Sequence, residues 1–385
     1  MSIREELEDA FKLVCFQLVY YLVRCIPAKP EGKKLLLVKT DEIGDYMLIR
    51  NFLGKFRESS LYKDHEITFI GSGVYRDIFE AFDSGVADRV IWLDKKKFRR
   101  NLLYRFSVLK EVRKTGFSDA VNLVYSRSFR VDDLLIAVST AREKKAMKTD
   151  HPPAYRVERA LTPRHIYREL VDPGAQSLFE AYKNARFIGK VSGTRIEPVS
   201  IALEPVADTG IFALPVAYFV VFPGSGNKER NWPIERFCVV ADFISKEYGL
   251  EPVICGSNAD KAEAGQFVRA FGGPVTDITG RTSLPEFLAV LKTAKCLISV
   301  DTSAVHLAAA VRCPVFGLFG GLYYGRFAPY PKEIAPDFVA IYPDEIDEQI
   351  RTHSLPDIND IPIGLLRKIP PEKVIDSIRK NFRSK

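Results

Sequence analysis

The sequence predicts an α/β fold of two βαβ domains, each a parallel sheet covered by helices. Three observations lead there. At 385 residues the chain exceeds what one ordinary hydrophobic core organises. Short apolar runs alternate with helical patterns through the first half, and the alternation returns more cleanly in the second. Between the halves, residues 192 to 216 hold Pro, Gly and Ser without helical periodicity, as a linker would. Strands alternating with helices imply right-handed crossovers. Two such sheets joined by a linker put a ligand cleft between them, at the carboxyl ends of the strands.

The first residues, "MSIREELEDAFK", are acidic and lead to no small-residue cleavage site, so no secretory signal is expected. Residues 11 to 26, "FKLVCFQLVYYLVRCI", would form a helix of roughly 24 Å against a hydrocarbon core of about 30 Å. Lys12, Gln17 and Arg24 interrupt it. It reads either as a helix packed on the protein or as an interfacial membrane helix, and residues 1–30 are set apart on that basis.

Candidate strands follow at Lys34–Lys39, Glu66–Ile70, Arg89–Leu93 and Ala120–Val124. Between the first two, Leu48, Phe52 and Phe56 recur at helical spacing. "KKKFRRNLLYRFSVLKEVRK", from Lys95 to Lys114, places Phe98, Leu102, Phe106 and Leu109 on one helical face. Lys96, Lys97, Arg99, Arg100 and Arg105 then form either a solvated surface or one for anionic lipid or a phosphorylated glycolipid. Ser139 to Gly189 reads as polar, basic and helical in places.

In the second half "AYFVVFPG" is a strand and "PIERFCVVADFISKEYG" a helix ended by Gly249. The strand "EPVICG", a helix from near Ala259, a short strand near Val275 and the helix "LPEFLAVLKTA" come next. The strand "CLISVD", the helix "SAVHLAAAV" and the strand "PVFGLFG" complete it. "PPEKVIDSIRKNF" is a final amphipathic helix opened by Pro371.

Apolar residues at 46% and charged residues at 27% describe a globular protein. A net charge of +7, much of it drawn from Lys95–Lys114, favours a local anionic partner over nucleic acid, for which no motif is present. The six cysteines include no C-x-x-C pair, which suits a reducing, cytoplasmic compartment.

Three stretches carry candidate chemistry. "LLLVKTDEIGDYMLIR", residues 35 to 50, places three carboxylates and a lysine at a strand end. The loop is either a solvated turn, in which Gly44 bends the backbone, or the seat of a general base. "VVFPGSGNKERNWPIERF", Val220 to Phe237, is a strand, a Gly-rich turn and a helix start. Gly224, Ser225 and Gly226 expose backbone N–H groups and Lys228 and Arg230 add charge, a combination suited to phosphates. It matches neither the P-loop nor the dinucleotide fingerprint. "LISVDTSAVHLAAAV", Leu297 to Val311, is a buried strand ending at Asp301 and a helix opening at Thr302 and Ser303. Asp301 or Thr302 serves as N-cap there or helps to hold a diphosphate, and His306 is a core histidine or part of that site. No His/Cys/Asp cluster has metal-ligand spacing, so no metal and no cofactor are expected.

Taken together, "LLLVKTDEIGDYMLIRNFLGKFRE", "FPGSGNKERNWPIERFCVVADFI" and "LISVDTSAVHLAAAVRCPVFGLFG" resemble glycosyltransferase family 9, the ADP-heptose:lipopolysaccharide heptosyltransferases. The segments stand in the family's order, and weaker similarity runs through "HIYRELVDPGAQSLFEAYKNARFIG" and the terminal helix. The resemblance implies a GT-B fold, two Rossmann-like domains facing across a cleft. Residues 31–195 would form the acceptor side, 196–216 the linker, 217–365 the nucleotide-sugar side, and 366–385 a helix packing back on the first domain. It further implies inverting, metal-independent transfer of a sugar from a nucleotide-sugar donor, an ADP-sugar, to a glycan or glycolipid at the inner face of the membrane.

Residue by residue, Asp45 matches the family's catalytic aspartate and Lys39 a basic position at the same strand end. Arg230, before Asn231-Trp232-Pro233, falls where the family contacts the donor phosphates. Asp301, Thr302 and His306 match its donor-binding "D-T-G-P-x-H" motif. Two departures stand beside the donor: Ser303-Ala304 replaces Gly-Pro, and Gly321 replaces the Pro usual after "LFG". They leave the sugar and the base open. Two rival readings remain, a nucleotide-sugar epimerase of the same fold and a non-catalytic nucleotide-sugar binder.

Overall fold

The computed structural model describes residues 3–149, 166–356 and 361–382, with side chains from Val14 onward. The chain divides into two compact units, Met1–Gln176 with Tyr182–Pro198, and Ser177–Ala181 with Val199–Lys385. Each carries a six-stranded parallel sheet.

In the first unit the strands are β1 (Lys34–Lys39), β2 (Glu66–Ser72), β3 (Arg89–Leu93), β4 (Asp119–Asn122), β5 (Glu143–Met147) and β6 (Glu169–Val171). Their order is β3-β2-β1-β4-β5-β6. In the second they are β7 (Tyr218–Phe222), β8 (Glu251–Ile254), β9 (Thr276–Asp277), β10 (Leu297–Val300), β11 (Val315–Leu318) and β12 (Phe338–Ile341), ordered β12-β11-β10-β7-β8-β9. Both sheets thus have the doubly wound order. The direction of winding reverses between β1 and β4 and between β7 and β10, and ligands bind at the carboxyl ends of such switch points. Strands buried on both faces explain the unbroken apolar runs at Leu35–Val38 and Tyr218–Val221.

Four expectations change. Residues 139–189 hold β5 and β6 as well as helix Glu180–Ser192, while residues 150–165 of that stretch lie outside the described residues. The linker expected at 196–216 does not stand free. From Val199 it folds with the second unit, and the Leu203 N–H donates to the Ala310 carbonyl at 2.9 Å. The terminal helix Pro371–Asn381 packs on the second unit's own core instead of the first domain. Val374 and Ile378 are buried there among Phe237, Phe316 and Ile341, and Phe382 stacks edge-on against Tyr248. Its short apolar stripe finds a matching groove beside helix Ile234–Tyr248, so nothing drives it elsewhere.

The basic stretch is two helices, Lys95–Arg100 and Leu102–Lys114. Asn101 breaks the register and caps the second through the Tyr104 N–H at 2.9 Å. The buried stripe of the second is Arg105, Val108, Leu109 and Val112, which leaves Leu102 and Leu103 in solvent. Arg105 is therefore no surface residue. Its guanidinium lies 3.6 Å from the Phe16 ring and 4.8 Å from that of Phe98, and its Nε donates to the Phe98 carbonyl at 2.9 Å. Burial and the neighbouring Arg130 and Arg99 lower its pKa to about 10. Lys96, Lys97, Arg99 and Arg100 are exposed as expected. Phe16 belongs to the leader helix, Ile3–Arg24, whose Val19, Tyr20 and Val23 pack inward. Among the described residues no helix is long and apolar enough to cross a membrane.

Candidate functional site

At the carboxyl end of β1 the chain turns through Thr40, Asp41 and Glu42 into helix Ile43–Met47. The Thr40 hydroxyl donates to Asp132, which also accepts the Ser128 N–H at 2.8 Å, so the loops after β1 and β4 are tied at the switch point. Lys39 is fully buried in this unit. Its ammonium lies 2.8 Å from Asp41 and 3.4 Å from the Leu123 carbonyl, a buried counter-ion at the strand end. Asp41, which sequence reasoning set aside as a turn residue, is held by that pair. Burial first, then Asp45 and Asp132, raise its pKa to about 7 against the pull of Lys39.

Asp45 is half-buried, in the first turn of helix Ile43–Met47, where the dipole favours a carboxylate. Gly44 lies within that helix and makes no left-handed bend. A buried network fixes the helix. The Tyr46 hydroxyl donates to Asp83 at 2.5 Å, Arg50 grips the same carboxylate at 2.9 and 2.8 Å, and Tyr75 stacks on Tyr46 at 4.1 Å. From helix Glu180–Ser192, Asn184 donates to the Leu48 carbonyl at 3.0 Å. Arg50, Asp83, Asp132 and Asn184 were not singled out from sequence, because nothing local marks which surface polar residue will be buried. Glu42 pairs with Lys95 on the basic helix.

The raised Asp41 pKa has a consequence for stability. The folded state holds a proton that the unfolded chain, at 3.8, has released. Stability from this group is therefore present at low pH and lost as pH rises from about 4 to about 7. Relative to Asp41→Asn, the native protein should lose up to about 1.4 kcal/mol per pH unit across that window in urea unfolding. A flat difference would remove the assignment.

In the second unit the turn after β7 runs Pro223-Gly224-Ser225-Gly226. A Cβ at Gly224 would stand 2.0 Å from Asp260 Oδ1, so a close approach of side chain to backbone demands this glycine. Gly226 faces open space. The Ser225 hydroxyl donates to Asn231 Oδ1 at 2.7 Å. The exit of the turn is clamped by the C-terminal segment: Trp232 Nε1 donates to the Ile369 carbonyl at 2.9 Å and Arg367 to the Lys228 carbonyl at 3.0 Å. Lys228 is exposed, 3.5 Å from Glu263. Arg230 is half-buried, and its Nε has no hydrogen-bond partner.

Across the switch point, Asp301 directly follows β10. Burial raises its pKa to about 6, opposed by Arg230, so the structure brings these two residues together. Thr302 caps helix Ser303–Ala310 through the Ala304 N–H at 3.3 Å. Ser303 opens that helix, and Ala304 is wholly buried. His306 is buried too, Nδ1 2.6 Å from the Tyr330 hydroxyl, and burial lowers its pKa to about 4, against the field of Glu180. Glu180 makes a bidentate pair with Arg326 at 2.7 and 3.2 Å, both buried. Glu180, Arg326 and Tyr330 escaped the sequence reading. Only the aromatic cluster around "YYGRFAPY" hinted at a buried partner there. Among the described residues no group of three His, Cys, Asp or Glu side chains is placed to hold a metal ion.

Residues 199–342 match the model of glycosyltransferase family 9 (heptosyltransferase). "Lipopolysaccharide heptosyltransferase 3" of Escherichia coli K12 is 28% identical over 162 residues, 40% of this chain and 47% of that protein. "Lipopolysaccharide core heptosyltransferase OpsX" of Haemophilus influenzae is 25% identical over 170 residues, 42% and 47% of the two chains. The chain thus spans about half the length of the curated relatives it matches. Among solved structures, a glycosyl transferase family 9 protein of Veillonella parvula superposes with a TM-score of 0.67 at 19% identity, over 92% of this chain and 99% of that one. The Escherichia coli heptosyltransferase WaaC, solved with ADP, gives 0.63 at 16%, over 90% and 99%. The fold is GT-B.

Proposed function

We propose, for a chain whose residues 199–342 match the model of glycosyltransferase family 9, that it transfers a heptose or similar sugar from an ADP-sugar to a hydroxyl of a lipopolysaccharide-type glycolipid. It would do so by inversion, without a metal, at the cytoplasmic face of the membrane. The observation that carries the donor half is Arg230, half-buried beside Asp301 at the β7/β10 switch point, with a guanidinium nitrogen lacking any hydrogen-bond partner. The curated relatives are named as heptosyltransferases, and one structural neighbour was solved with ADP.

In this reading Asp45 accepts the proton of the acceptor hydroxyl as its oxygen attacks the anomeric carbon from the face opposite the diphosphate. The bond from that carbon to the diphosphate oxygen breaks, and its electron pair leaves with the nucleotide. Arg230, the N–H groups of the Gly224–Gly226 turn and those opening helix Ser303–Ala310 at Thr302 stabilise the charge that grows there. Buried His306, neutral near pH 7, adds no charge but shapes the donor side with Tyr330. The Asp41–Lys39 pair lies close enough to the base for the Asp45 carboxylate to raise the Asp41 pKa.

The test is thermal unfolding and turnover against ADP-, GDP- and UDP-sugars. An ADP-sugar at one hundred times its Kd should stabilise the fold by about 2.7 kcal/mol, and nucleotide release should require a glycolipid acceptor. Interconversion of the sugar without acceptor would assign an epimerase instead. Binding with no turnover on any acceptor would assign a binding protein.

A further inference from the structure

Between Val14 and Val23 the leader helix Ile3–Arg24 is apolar on two opposite faces. Val19, Tyr20 and Val23 turn inward. Val14, Leu18, Tyr21 and Leu22 follow one another at the i, i+4, i+7, i+8 spacing of a single stripe, half a turn away. That stripe is in solvent, each side chain between 53% and 60% exposed. A contiguous apolar stripe is normally covered by a partner surface, and among the described residues nothing covers this one.

Its neighbours say what would. Phe16 lies against Arg105, and Arg113 Nε donates to the Ile26 carbonyl at 3.2 Å, so the leader runs alongside helix Leu102–Lys114 in the same direction. Leu102 and Leu103, the latter 82% exposed, therefore sit at the Val14 end of the stripe. Just before them come exposed Lys96, Lys97, Arg99 and Arg100. An apolar ridge ending in four cations has the composition of a bilayer-surface element, with stems in the acyl boundary and charges at anionic headgroups. The same basic helix carries Lys95, paired with Glu42 of the loop that leads to Asp45.

We infer that the outward stripe of the leader helix, with Leu102, Leu103 and the Lys96–Arg100 cations, docks this unit on the surface of an anionic bilayer, next to its candidate base. Docked this way, the Glu42 loop that leads into the Asp45 helix lies beside the headgroup layer, where the sugar of a membrane-held acceptor would stand. The surface depends on exposure and charge alone; its link to transfer rests on the proposed function, and the test below uses vesicles without acceptor so that the two can fail separately.

The experiment is flotation of the full chain with vesicles of phosphatidylcholine, alone or with phosphatidylglycerol. The native protein should float with the anionic vesicles only, and less as salt rises. Leu18→Asp with Leu22→Asp should lower partitioning roughly tenfold or more. Charge reversal at Lys96, Lys97, Arg99 and Arg100 should lower it by roughly fivefold per residue. All these side chains face solvent, so melting should stay native; if the double variant melts early, Leu103→Glu tests the same ridge from the neighbouring helix. Absence of flotation, equal binding to both vesicle types, or native flotation of the variants overturns the inference. So does a concentration-dependent dimer abolished by Leu18→Asp with Leu22→Asp in a protein that ignores vesicles, which would assign the stripe to a second copy.

Discussion

Asp45→Asn should leave the fold and donor affinity near native while transfer falls by about a thousandfold or more, within the usual range for removal of a general base. Three aspartates meet behind the loop after β1, and their surroundings separate their roles. Asp132 accepts from Thr40 on one oxygen and from the Ser128 N–H on the other, so it ties two loops together. Asp41 is bound to buried Lys39 and, with a pKa of about 7, carries a proton for part of the time near neutrality. Asp45 is half-buried on a helix that Tyr46, Arg50, Asp83 and Asn184 hold in place. Asparagine keeps its shape and cannot take a proton. Nucleotide release measured alongside calorimetric donor binding checks this, and a variant retaining a tenth of the native rate would move the base elsewhere. Asp41→Asn, by contrast, should lower stability by removing the carboxylate partner of buried Lys39, and should change how stability varies with pH.

Much of this site was legible because doubly wound sheets put their chemistry where apolar runs stop. Val38 and Val300 end such runs, and the polar residues that follow them are candidate site residues in both units. The parts that stayed hidden depend on contacts between distant segments. β5 reads "EKKAM", with no apolar run or alternation, and is a strand only because β4 and β6 pair with it on either side. Arg105 lay in a row of cations and is buried because Asn101 resets the helix phase, which turns it toward Phe16 and Phe98. Lys39 matched a basic position of the family yet points into its own unit. Arg230 was visible as a charge; its approach to Asp301 was not, since β7 and β10 become neighbours only when the sheet reverses direction.

Arg326→Met should destabilise the second unit by about 3–5 kcal/mol, the cost of breaking a buried ion pair by removing one member. Glu180 is 1% exposed and has Arg326 on both carboxylate oxygens. Without that guanidinium, the carboxylate must either stay charged in an apolar setting or take up a proton. Glu180→Gln combined with Arg326→Met should recover most of the loss, because the double variant buries no net charge, and non-additivity in urea unfolding would measure the coupling. His306 supplies a second reading of the same event. Burial holds it neutral, with a pKa of about 4 against the usual 6.5, so its contribution to stability is present above 6.5 and lost as pH falls toward 4. The field of Glu180 opposes that shift, and Arg326 screens it. In Arg326→Met the His306 pKa should therefore rise, moving the acid loss of stability to higher pH, and in the double variant it should fall back. A ring titration followed by NMR separates this from simple unfolding. Equal His306 pKa values in all three proteins would mean that the pair holds the fold without tuning the donor side.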